Sequence, residues 1–406
     1  MRNTALATLS LFAVATLSWA PAWAQPAEAP DPFAAFIQSF KAEALANGIS
    51  AEIYDREMAT VKKRPVVKER NANQPEFVRP IWSYLDSAVS ERRVADGKMN
   101  MAAKDDVLNS VAAQYDVDAS IITAIWGLES AYGAIQGDHD VLSALATLAY
   151  DGRRQKYGRQ QLLGALKIID NGYATRAQLK GSWAGAMGQT QFIPTTYLSY
   201  AVDADEDGRR DLWSNHQDVF ASTANYLSRS GFDGGTPWGF EVILPADFDY
   251  ADASLGTRKP VALWASLGVM PVGPSFSDRA NLDADASIIV PAGAGGPAFM
   301  VFQNFRAILR YNNATSYALG VGMLSDVLAG GTNSLKNGWP IDDRPLTRAE
   351  RKALQQALAD KGFNPGPVDG IVGAGTKRAL RAWQRSVELP ADGYASAKVL
   401  ERLLEG

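Results

Sequence analysis

Residues 118–133 constrain the fold of this 406-residue chain most, because they predict one apolar helix that has to be buried. Asp118 is a favourable N-cap residue, and Gly133 is a suitable stop. Positions i, i+3, i+4 and i+7 share one face of this helix, and they are Ile122, Ile125, Trp126 and Glu129. The sequence therefore predicts a glutamate carboxylate on the apolar face of a buried helix.

A carboxylate in such a place is desolvated, which disfavours its charged form and raises the pKa of Glu129. A raised pKa is what a general acid needs if it is to work near neutral pH. The alternative is a structural glutamate paired with an arginine, because ion-pair networks also bury carboxylates. The helix by itself leaves both interpretations open.

The composition excludes several kinds of site. Cysteine is absent, which removes disulfides, thiolate zinc sites, cysteine nucleophiles and cysteine-linked lipid anchors. The two histidines, His139 and His216, are too few for a three-histidine metal centre and leave two candidate bases for a Ser-His-Asp site. With 47% hydrophobic residues and a net charge of −4, the chain resembles an ordinary globular protein and not a nucleic-acid binder.

The N-terminus has the pattern of an export signal. Arg2 precedes an uncharged apolar run, residues 5–20, and Ala22-Trp-Ala24 fits the small-x-small cleavage pattern. A single membrane anchor is the alternative, but the run is short for a span of ~20 residues. We expect cleavage after Ala24 and a soluble periplasmic protein that is not a lipoprotein.

A second segment, residues 181–194, combines small residues with amide, hydroxyl and aromatic groups. Small residues let a backbone approach a ligand closely. Ser182, Gln189, Gln191 and Phe192 would suit a sugar, which offers hydroxyls, amides and apolar ring faces. The alternative is a tight turn that leads into a helix starting at Pro194, and both interpretations can hold together.

An acidic loop matches the start of a calcium-binding pattern. Asp203, Asp205 and Asp207 occupy loop positions 1, 3 and 5, and Gly208 occupies position 6. Position 12 is Ser214 where the usual loop has a bidentate glutamate, so weak affinity is expected. A solvated acidic turn is the alternative.

The rest of the mature chain divides into four parts. Residues 25–115 read as a proline-rich lead followed by helices, residues 235–300 as a small β-rich insertion, and residues 333–346 as a linker. Residues 347–406 begin with a capping pattern, Thr347 and Glu350. This last part also contains a faint repeat, in which Val-Asp-Gly at 368–370 is echoed by Ala-Asp-Gly at 391–393.

Two motifs together resemble one enzyme family. Trp-Gly-Leu-Glu-Ser-Ala-Tyr-Gly at 126–133 and Gly-Ala-Met-Gly-Gln-Thr-Gln-Phe at 185–192 closely resemble the B-type membrane-bound lytic murein transglycosylases, over residues 33–328. Gly-Pro-Val-Asp-Gly-Ile-Val-Gly-Ala-Gly-Thr at 366–376 is similar to a three-helix peptidoglycan-binding module. The resemblance implies a mainly α fold: a lysozyme-like α+β core over residues 116–332 with the β-rich insertion, and a three-helix module over residues 347–406.

The resemblance also implies site residues. The family's catalytic glutamate falls on Glu129, and its substrate-binding positions fall on Arg153, Arg154, Ser182, Gln191, Phe192, Tyr226, Tyr311, Asn312 and Tyr317. The family's acidic loop is closed by a later aspartate, so the implied metal set is Asp203, Asp205, Asp207, Arg209 and Asp218. Two departures are Ala131, where relatives have a larger residue, and the absent lipidation cysteine.

The implied reaction is cleavage of the β-1,4 bond between N-acetylmuramic acid and N-acetylglucosamine, with formation of a 1,6-anhydro ring. No cofactor is required for this chemistry, and calcium is expected only as a structural ion. The implied partner is a peptidoglycan glycan strand bound by a monomer, without nucleic acid or a membrane anchor. The alternatives are a lysozyme-type hydrolase that uses water, and a non-catalytic murein-binding scaffold.

Overall fold

The structure, a computed structural model, describes residues 1, 31–72, 79–151 and 154–405. The expected export signal and Arg153 therefore lie outside the described residues. The described part is mainly helical with few strands, as predicted. None of the helices in these ranges is long and apolar enough to cross a membrane.

Helices make up the part of the chain before the insertion. The first group is α1 (Pro32–Ala46), α2 (Ala51–Met58), α3 (Pro65–Ala72), α4 (Ile81–Ala88), α5 (Glu91–Ala103) and α6 (Asp105–Tyr115). The second group is α7 (Ala119–Ser130), α8 (Val141–Tyr150), α9 (Gln155–Asp170), α10 (Pro194–Tyr200) and α11 (His216–Arg229). Two short antiparallel strands, β1 (His139–Asp140) and β2 (Lys180–Gly181), lie within the second group.

An antiparallel sheet follows. Its strands are β3 (Gly239–Ile243), β4 (Lys259–Pro260), β5 (Met270–Pro271), β6 (Asp285–Ile289) and β7 (Ala298–Val301), in the spatial order β4-β6-β7-β3-β5. The short helices α12 (Val261–Ser266) and α13 (Phe276–Arg279) lie between these strands, and α14 (Gln303–Tyr311) and α15 (Thr315–Leu328) complete the unit. The sheet and α12 form a separate small core around Phe240, Trp264 and Met300.

Helix α7 lies in the largest core, where it packs against α5, α6, α11 and α15. It ends at Ser130, three residues before the glycine that the sequence suggested, because Ala131 and Tyr132 already have positive φ angles of 49° and 59°. The Tyr132 ring then turns back over Gly127, where a Cβ would lie 2.6 Å from the ring. A packed aromatic ring therefore sets the end of the helix that contains Glu129.

The C-terminal module consists of α16 (Arg348–Asp360), α17 (Ala374–Ser386) and α18 (Ala397–Glu405). The predicted capping box at Thr347 and Glu350 is formed. The faint repeat in the sequence is also a repeat in space. Gln355 accepts a hydrogen bond from the Gly370 amide at 2.8 Å, and Gln384 accepts one from the Gly393 amide at 2.8 Å.

The segment between the sheet and the module is held in place. The Glu241 carboxylate on β3 accepts the backbone N–H groups of Lys336 and Asn337, at 2.7 and 2.9 Å. The Trp339 ring stacks on Phe299 of β7 with 6.3 Å between ring centroids. The contacts of this connecting segment therefore fix the direction in which the chain enters the module.

Candidate active site

Glu129 lies in the last turn of α7 and is partly buried. Its Oε1 atom accepts a hydrogen bond from the Tyr317 hydroxyl at 2.7 Å. Burial raises the pKa of Glu129 to about 7, and the hydrogen bond from Tyr317 acts against that rise. No ion pair to Glu129 occurs within the described ranges, so the alternative of an arginine-paired structural glutamate finds no support there.

Aromatic rings surround this carboxyl group. Tyr311 and Tyr317 are nearly parallel, with 6.5 Å between their centroids. Tyr311 also contacts Phe192 at 5.8 Å and Tyr226 at 5.0 Å. Four of the residues implied by the resemblance, which come from α11, α14, α15 and the loop before α10, therefore form one continuous cluster beside Glu129.

Hydrogen bonds fix the orientation of these rings. The Tyr311 hydroxyl donates to the backbone oxygen of Thr190 at 2.7 Å, and the Tyr226 hydroxyl donates to that of Arg310 at 2.5 Å. A pocket of about 200 Å³ opens beside the cluster, and its lining includes Gln191, Phe192, Tyr226 and Tyr311. Ring faces and amide groups in one small pocket suit a sugar.

The loop over residues 181–192 uses two of its polar side chains for its own shape. Ser182 Oγ accepts the N–H groups of Ala184 and Ala186 at 3.3 and 3.0 Å. Gln191 has a positive φ of 51°, and its side-chain nitrogen donates to the backbone oxygens of Gln136 and Gly188. The amide oxygen of Gln191 has no donor among the described residues, so it is available to a ligand.

Gln189, from the same loop, connects it to the helix that contains Glu129. Its side-chain oxygen accepts a hydrogen bond from Trp126 Nε1 at 2.7 Å, and its nitrogen donates to the backbone oxygen of Trp213 at 2.9 Å. Gly133 borders this amide so closely that a Cβ there would lie 2.4 Å from the Gln189 oxygen. The sequence placed Gln189 in a sugar-binding lining, whereas the structure buries it as a brace.

Tyr84, on α4, is a site residue that the sequence analysis missed. Burial raises the pKa of its phenol, and the charge of Glu129 raises it further, so the phenol lies within electrostatic reach of that carboxyl group. No motif surrounds Tyr84 in the sequence. Its proximity to Glu129 depends on the packing of α4 against α15.

Three other predicted residues are not brought to Glu129 by a described contact. The Arg154 guanidinium lies 4.1 Å from the centroid of the Tyr157 ring, and the Tyr157 hydroxyl donates to the backbone oxygen of Ala184. Arg154 is thereby placed beside the loop over residues 181–192. Asn312 is exposed at the end of α14, and Arg153 lies outside the described residues.

The acidic loop brings three of its carboxylates together. Ligand oxygens of Asp203, Asp205 and Asp218 lie within 4.8 Å of one another. Asp218 is buried and accepts the backbone N–H groups of Ala204 and Asp211 at 2.7 and 2.6 Å. Burial raises the pKa of Asp218 to about 6, the two amides lower it, and the charges of Asp205 and Asp203 raise it.

This donor set suits a hard cation, because Ca²⁺ prefers oxygen ligands and would offset the repulsion between the three acids. Asp207 is not part of the close trio, and its Oδ1 accepts the backbone N–H of Arg209 at 2.8 Å. The structure therefore brings together three members of the predicted set of five.

Comparison with known proteins places this geometry in a family. Residues 32–326 match the transglycosylase SLT domain, and residues 347–403 match a putative peptidoglycan binding domain. The chain is 31% identical over 250 residues to the membrane-bound lytic murein transglycosylase B of Escherichia coli (strain K12). That match covers 61% of this chain and 66% of the relative, just under two thirds of its length.

Two solved structures are also similar. SltB3 from Pseudomonas aeruginosa, in complex with NAG-anhNAM-pentapeptide, has 49% sequence identity and a TM-score of 0.87, covering 92% of this chain and 99% of that chain. The Escherichia coli lytic transglycosylase Slt35, in complex with calcium, has 27% identity and a TM-score of 0.62, covering 72% and 92%. These similarities confirm the predicted lysozyme-like fold. The chain belongs to the transglycosylase SLT domain family and has a peptidoglycan-binding module at its C-terminus.

Proposed function

We propose that this protein is a lytic transglycosylase that cleaves the β-1,4 bond between N-acetylmuramic acid and N-acetylglucosamine and forms 1,6-anhydromuramoyl ends. The main observation is the environment of Glu129: a carboxyl group with a pKa of about 7 and one phenolic hydrogen bond. No other carboxylate among the described residues perturbs its pKa. Ordinary glycosidases use two carboxyl groups, about 5–9.5 Å apart.

A single carboxyl group serves both steps of this reaction. Protonated Glu129 donates its proton to the leaving glycosidic oxygen as the C–O bond breaks, and the substrate's own N-acetyl carbonyl stabilises the oxocarbenium. The ionised Glu129 then accepts the proton of the 6-hydroxyl, whose oxygen attacks the anomeric carbon and closes the ring. An intramolecular nucleophile has a high effective concentration when it is well oriented. Tyr317 stabilises the carboxylate between the two steps, since it already donates to Oε1.

The other predicted residues bind and orient the sugar. Ser182, Gln191 and Asn312 orient the acetamido group, and the amide oxygen of Gln191 is free to accept its N–H. The rings of Phe192, Tyr226 and Tyr311 provide apolar faces for the pyranose. Arg153 and Arg154 bind lactyl or peptide carboxylates. A cluster of aromatic and amide side chains around a single acid supports catalysis over a non-catalytic scaffold.

The products of a murein digest test the proposed reaction. Mass spectrometry of the released muropeptides should find them lighter by one water than hydrolysis products, because no water is added. Reducing ends would contradict ring closure and would identify a lysozyme-type hydrolase. No released fragment at all would leave the scaffold as the better description.

Tyr317→Phe should shift the pH profile of cleavage. The hydrogen bond from Tyr317 lowers the pKa of Glu129, so its removal raises that pKa further. Glu129 must be protonated to start the reaction, so the alkaline limb of the profile should move to higher pH. Tyr311→Phe is the control, because that hydroxyl donates to Thr190 and not to Glu129. Identical alkaline limbs for wild type and Tyr317→Phe would contradict this role.

The acidic loop is proposed to bind calcium as a structural ion. Asp203, Asp205 and Asp218 supply carboxylate oxygens, and Asp207 and Arg209 complete the proposed set. Calcium would neutralise part of their charge and hold the loop against the N-terminus of α11, to which Asp218 belongs. The ion takes no part in the bond cleavage.

Calcium should raise the melting temperature of the wild type and leave that of Asp203→Ala/Asp207→Ala unchanged. A ligand that binds only the folded state stabilises it by mass action, by about 2.7 kcal/mol at a hundredfold excess over its dissociation constant. Scanning calorimetry with calcium and with a chelator measures the difference. Equal melting temperatures of the wild type with calcium and with a chelator would contradict calcium binding by the acidic loop.

The place of action is proposed to be the periplasm, reached by export and removal of residues 1–24, with the protein acting there as a soluble monomer. An apolar run followed by Ala22-Trp-Ala24 supports this proposal. Mass spectrometry of the secreted protein should find an N-terminus at Gln25. An intact or lipid-modified N-terminus would contradict it.

A chain truncated after Asn337 should still cleave murein but should sediment less with insoluble sacculi. The truncation keeps the hydrogen bonds from Lys336 and Asn337 to Glu241 of β3, so the sheet should stay folded. It removes all three helices of the module. A matched control is the full chain with Lys361→Ala, at an exposed position of the module. Equal sedimentation of the truncated and full chains would show that the module does not bind murein.

A further inference from the structure

The C-terminal module contains two Asp-Gly turns that are built alike. In the first turn, Asp369 Oδ1 accepts the backbone N–H of Ile371 at 2.8 Å. In the second turn, Asp392 Oδ1 accepts the backbone N–H of Tyr394 at 2.9 Å. Each of these oxygens also accepts a hydrogen bond from the side-chain nitrogen of a helix glutamine, at 3.3 and 2.7 Å. The two turns are therefore equivalent within the module, and a difference between them reflects their surroundings.

The surroundings of the two turns differ. Asp392 Oδ2 accepts the backbone N–H of Ala294 at 2.7 Å, whereas the described hydrogen bonds of the Asp369 carboxylate all remain inside the module. Ala294 lies in a single 3-10 turn, Gly293–Gly295, that connects β6 to β7. Gly293 has a positive φ of 69°, and a Cβ there would lie 2.5 Å from Asp392 Oδ2. The missing side chain at position 293 therefore lets the sheet approach the second turn closely.

This contact is one of three that attach the module and its connecting segment to the middle of the sheet. Glu241 of β3 accepts two backbone N–H groups of the connecting segment, and Phe299 of β7 stacks on Trp339. Glu241 and Phe299 are direct partners in the β3–β7 register, and Ala294 lies in the turn that leads into β7. Adjacent strands of one sheet therefore form a single platform for the module.

The platform continues directly into the active site. Phe302 alone separates β7 from α14, and its backbone N–H donates to the backbone oxygen of Trp238 at 3.0 Å. Helix α14 ends at Tyr311, a member of the aromatic cluster beside Glu129. A module held on this sheet therefore keeps a fixed orientation relative to the catalytic carboxyl group.

We infer that Asp392 is a positioning residue, because one of the two equivalent turns of the module serves as a lock that fixes the module relative to Glu129. The inference rests on the proposed function and concerns the size of the substrate, not the chemistry. An insoluble sacculus engages the module and the active site together, and a second binding event gains when the connection presents both sites at the right spacing. A short soluble glycan fragment engages the active site alone. The lock should therefore matter for sacculi and not for short fragments.

Two lock variants open the contact from opposite sides. Asp392→Asn keeps Oδ1 as the acceptor inside the turn and replaces Oδ2 with an amide nitrogen, which cannot accept the Ala294 N–H. Gly293→Ala leaves every residue of the module unchanged and places a methyl group against Asp392.

Each lock variant has a matched control variant. Asp369→Asn makes the same change in the turn whose described hydrogen bonds stay inside the module. Gly273→Ala adds a methyl group at another position of the insertion with a positive φ, 92°, where nothing lies within 4 Å of the added Cβ. The control variants therefore reproduce the local changes and leave the lock intact.

The first measurement is the distance between the module and the catalytic unit. The chain has no cysteine, so Arg92→Cys on α5 and Lys361→Cys on the module, both at exposed positions, introduce two unique sites for spin labels. Electron paramagnetic resonance should give one narrow distance distribution for the labelled parent and the control variants, and a broader or shifted one for the lock variants. Melting temperatures establish that all variants fold. Parent-like distributions in both lock variants would overturn the inference.

The second measurement compares two substrates. Gly293→Ala should release muropeptides from insoluble sacculi about three- to tenfold more slowly than the wild type, and its kcat/KM on short soluble glycan fragments should be unchanged. Gly273→Ala should match the wild type on both substrates. An unchanged rate on sacculi would overturn the inference, and so would an equal loss on both substrates, which would indicate damage to the active site. Failure of the proposed reaction would be visible separately, as missing anhydro ends in the wild-type digest.

Discussion

Glu129→Gln should reduce the rate of murein cleavage by about 100- to 10,000-fold, towards the upper end of that range. The substitution keeps the shape of the side chain and lets the Tyr317 hydroxyl still donate to the amide oxygen. It removes the proton donor of the first step and the base of the second. The measurement is the initial rate of muropeptide release from purified murein, with folding checked by circular dichroism.

The same variant has a second, independent readout. The pKa of Glu129 in the folded protein, about 7, lies above its ordinary value of 4.5, so its neutral form is favoured by folding. That contribution is complete below about pH 4.5 and is lost as the pH rises through 7. Glu129→Gln does not titrate, so it should gain stability relative to the wild type as the pH rises, by at most ~3 kcal/mol. Near-normal turnover would show that another carboxylate performs the chemistry, and a constant stability difference would contradict the raised pKa.

Trp126→Ala should lower the free energy of unfolding of the catalytic unit by about 3–5 kcal/mol. The Trp126 side chain is 1% exposed and packs edge-on against Tyr132 and Phe220 at 5.4 and 5.0 Å. Its removal leaves a cavity in the core of α7, and it also leaves the Gln189 oxygen without its donor. Calorimetry at fixed calcium concentration measures the loss.

Trp126→Phe is the matched control. It keeps most of the buried area and removes only the indole N–H, so we expect a loss of about 1–3 kcal/mol, the cost of an unsatisfied buried acceptor. The rate of murein cleavage should increase in the same order as the stability, from the alanine variant through the phenylalanine variant to the wild type. The reason is that Gln189 connects α7 to the loop over residues 181–192. Equal stability of the phenylalanine variant and the wild type would show that the bond from Trp126 to Gln189 contributes nothing.

Local features of the fold were predictable from the sequence because their physical cause is local. The spacing of Ile122, Ile125, Trp126 and Glu129 places a carboxyl group on a buried helix face whatever surrounds it. The capping box at Thr347 and the repeated Asp-Gly turns of the module depend on residues at most 15 positions apart in the chain. The second family motif likewise contains Gln191 and Phe192, which line the small pocket beside the aromatic cluster.

The end of α7 shows how a local rule fails. A glycine usually supplies the left-handed residue after a helix, which made Gly133 the expected stop. Ala131 and Tyr132 adopt positive φ angles before this glycine. The reason is that the Tyr132 ring fills a space that Gly97 and Gly127 leave open. Its hydroxyl group also donates a hydrogen bond to the backbone oxygen of Arg93. The packing of the Tyr132 ring therefore overrides the usual preference of Ala131 and Tyr132 for negative φ angles.

Sequence alone therefore determined that this chain has an acid on a buried helix face, a loop rich in small and polar residues, and an added helical module. Only the tertiary structure decided what each of them touches. Tyr317 reaches Glu129 across 188 positions, Gln189 reaches Trp126 across 63, and Asp392 reaches Ala294 across 98. Such pairs have no signature in the periodicity or composition of either segment, because their proximity results from the summed packing of helices and sheet. That packing sets the pKa of Glu129 and the brace that Gln189 forms behind it.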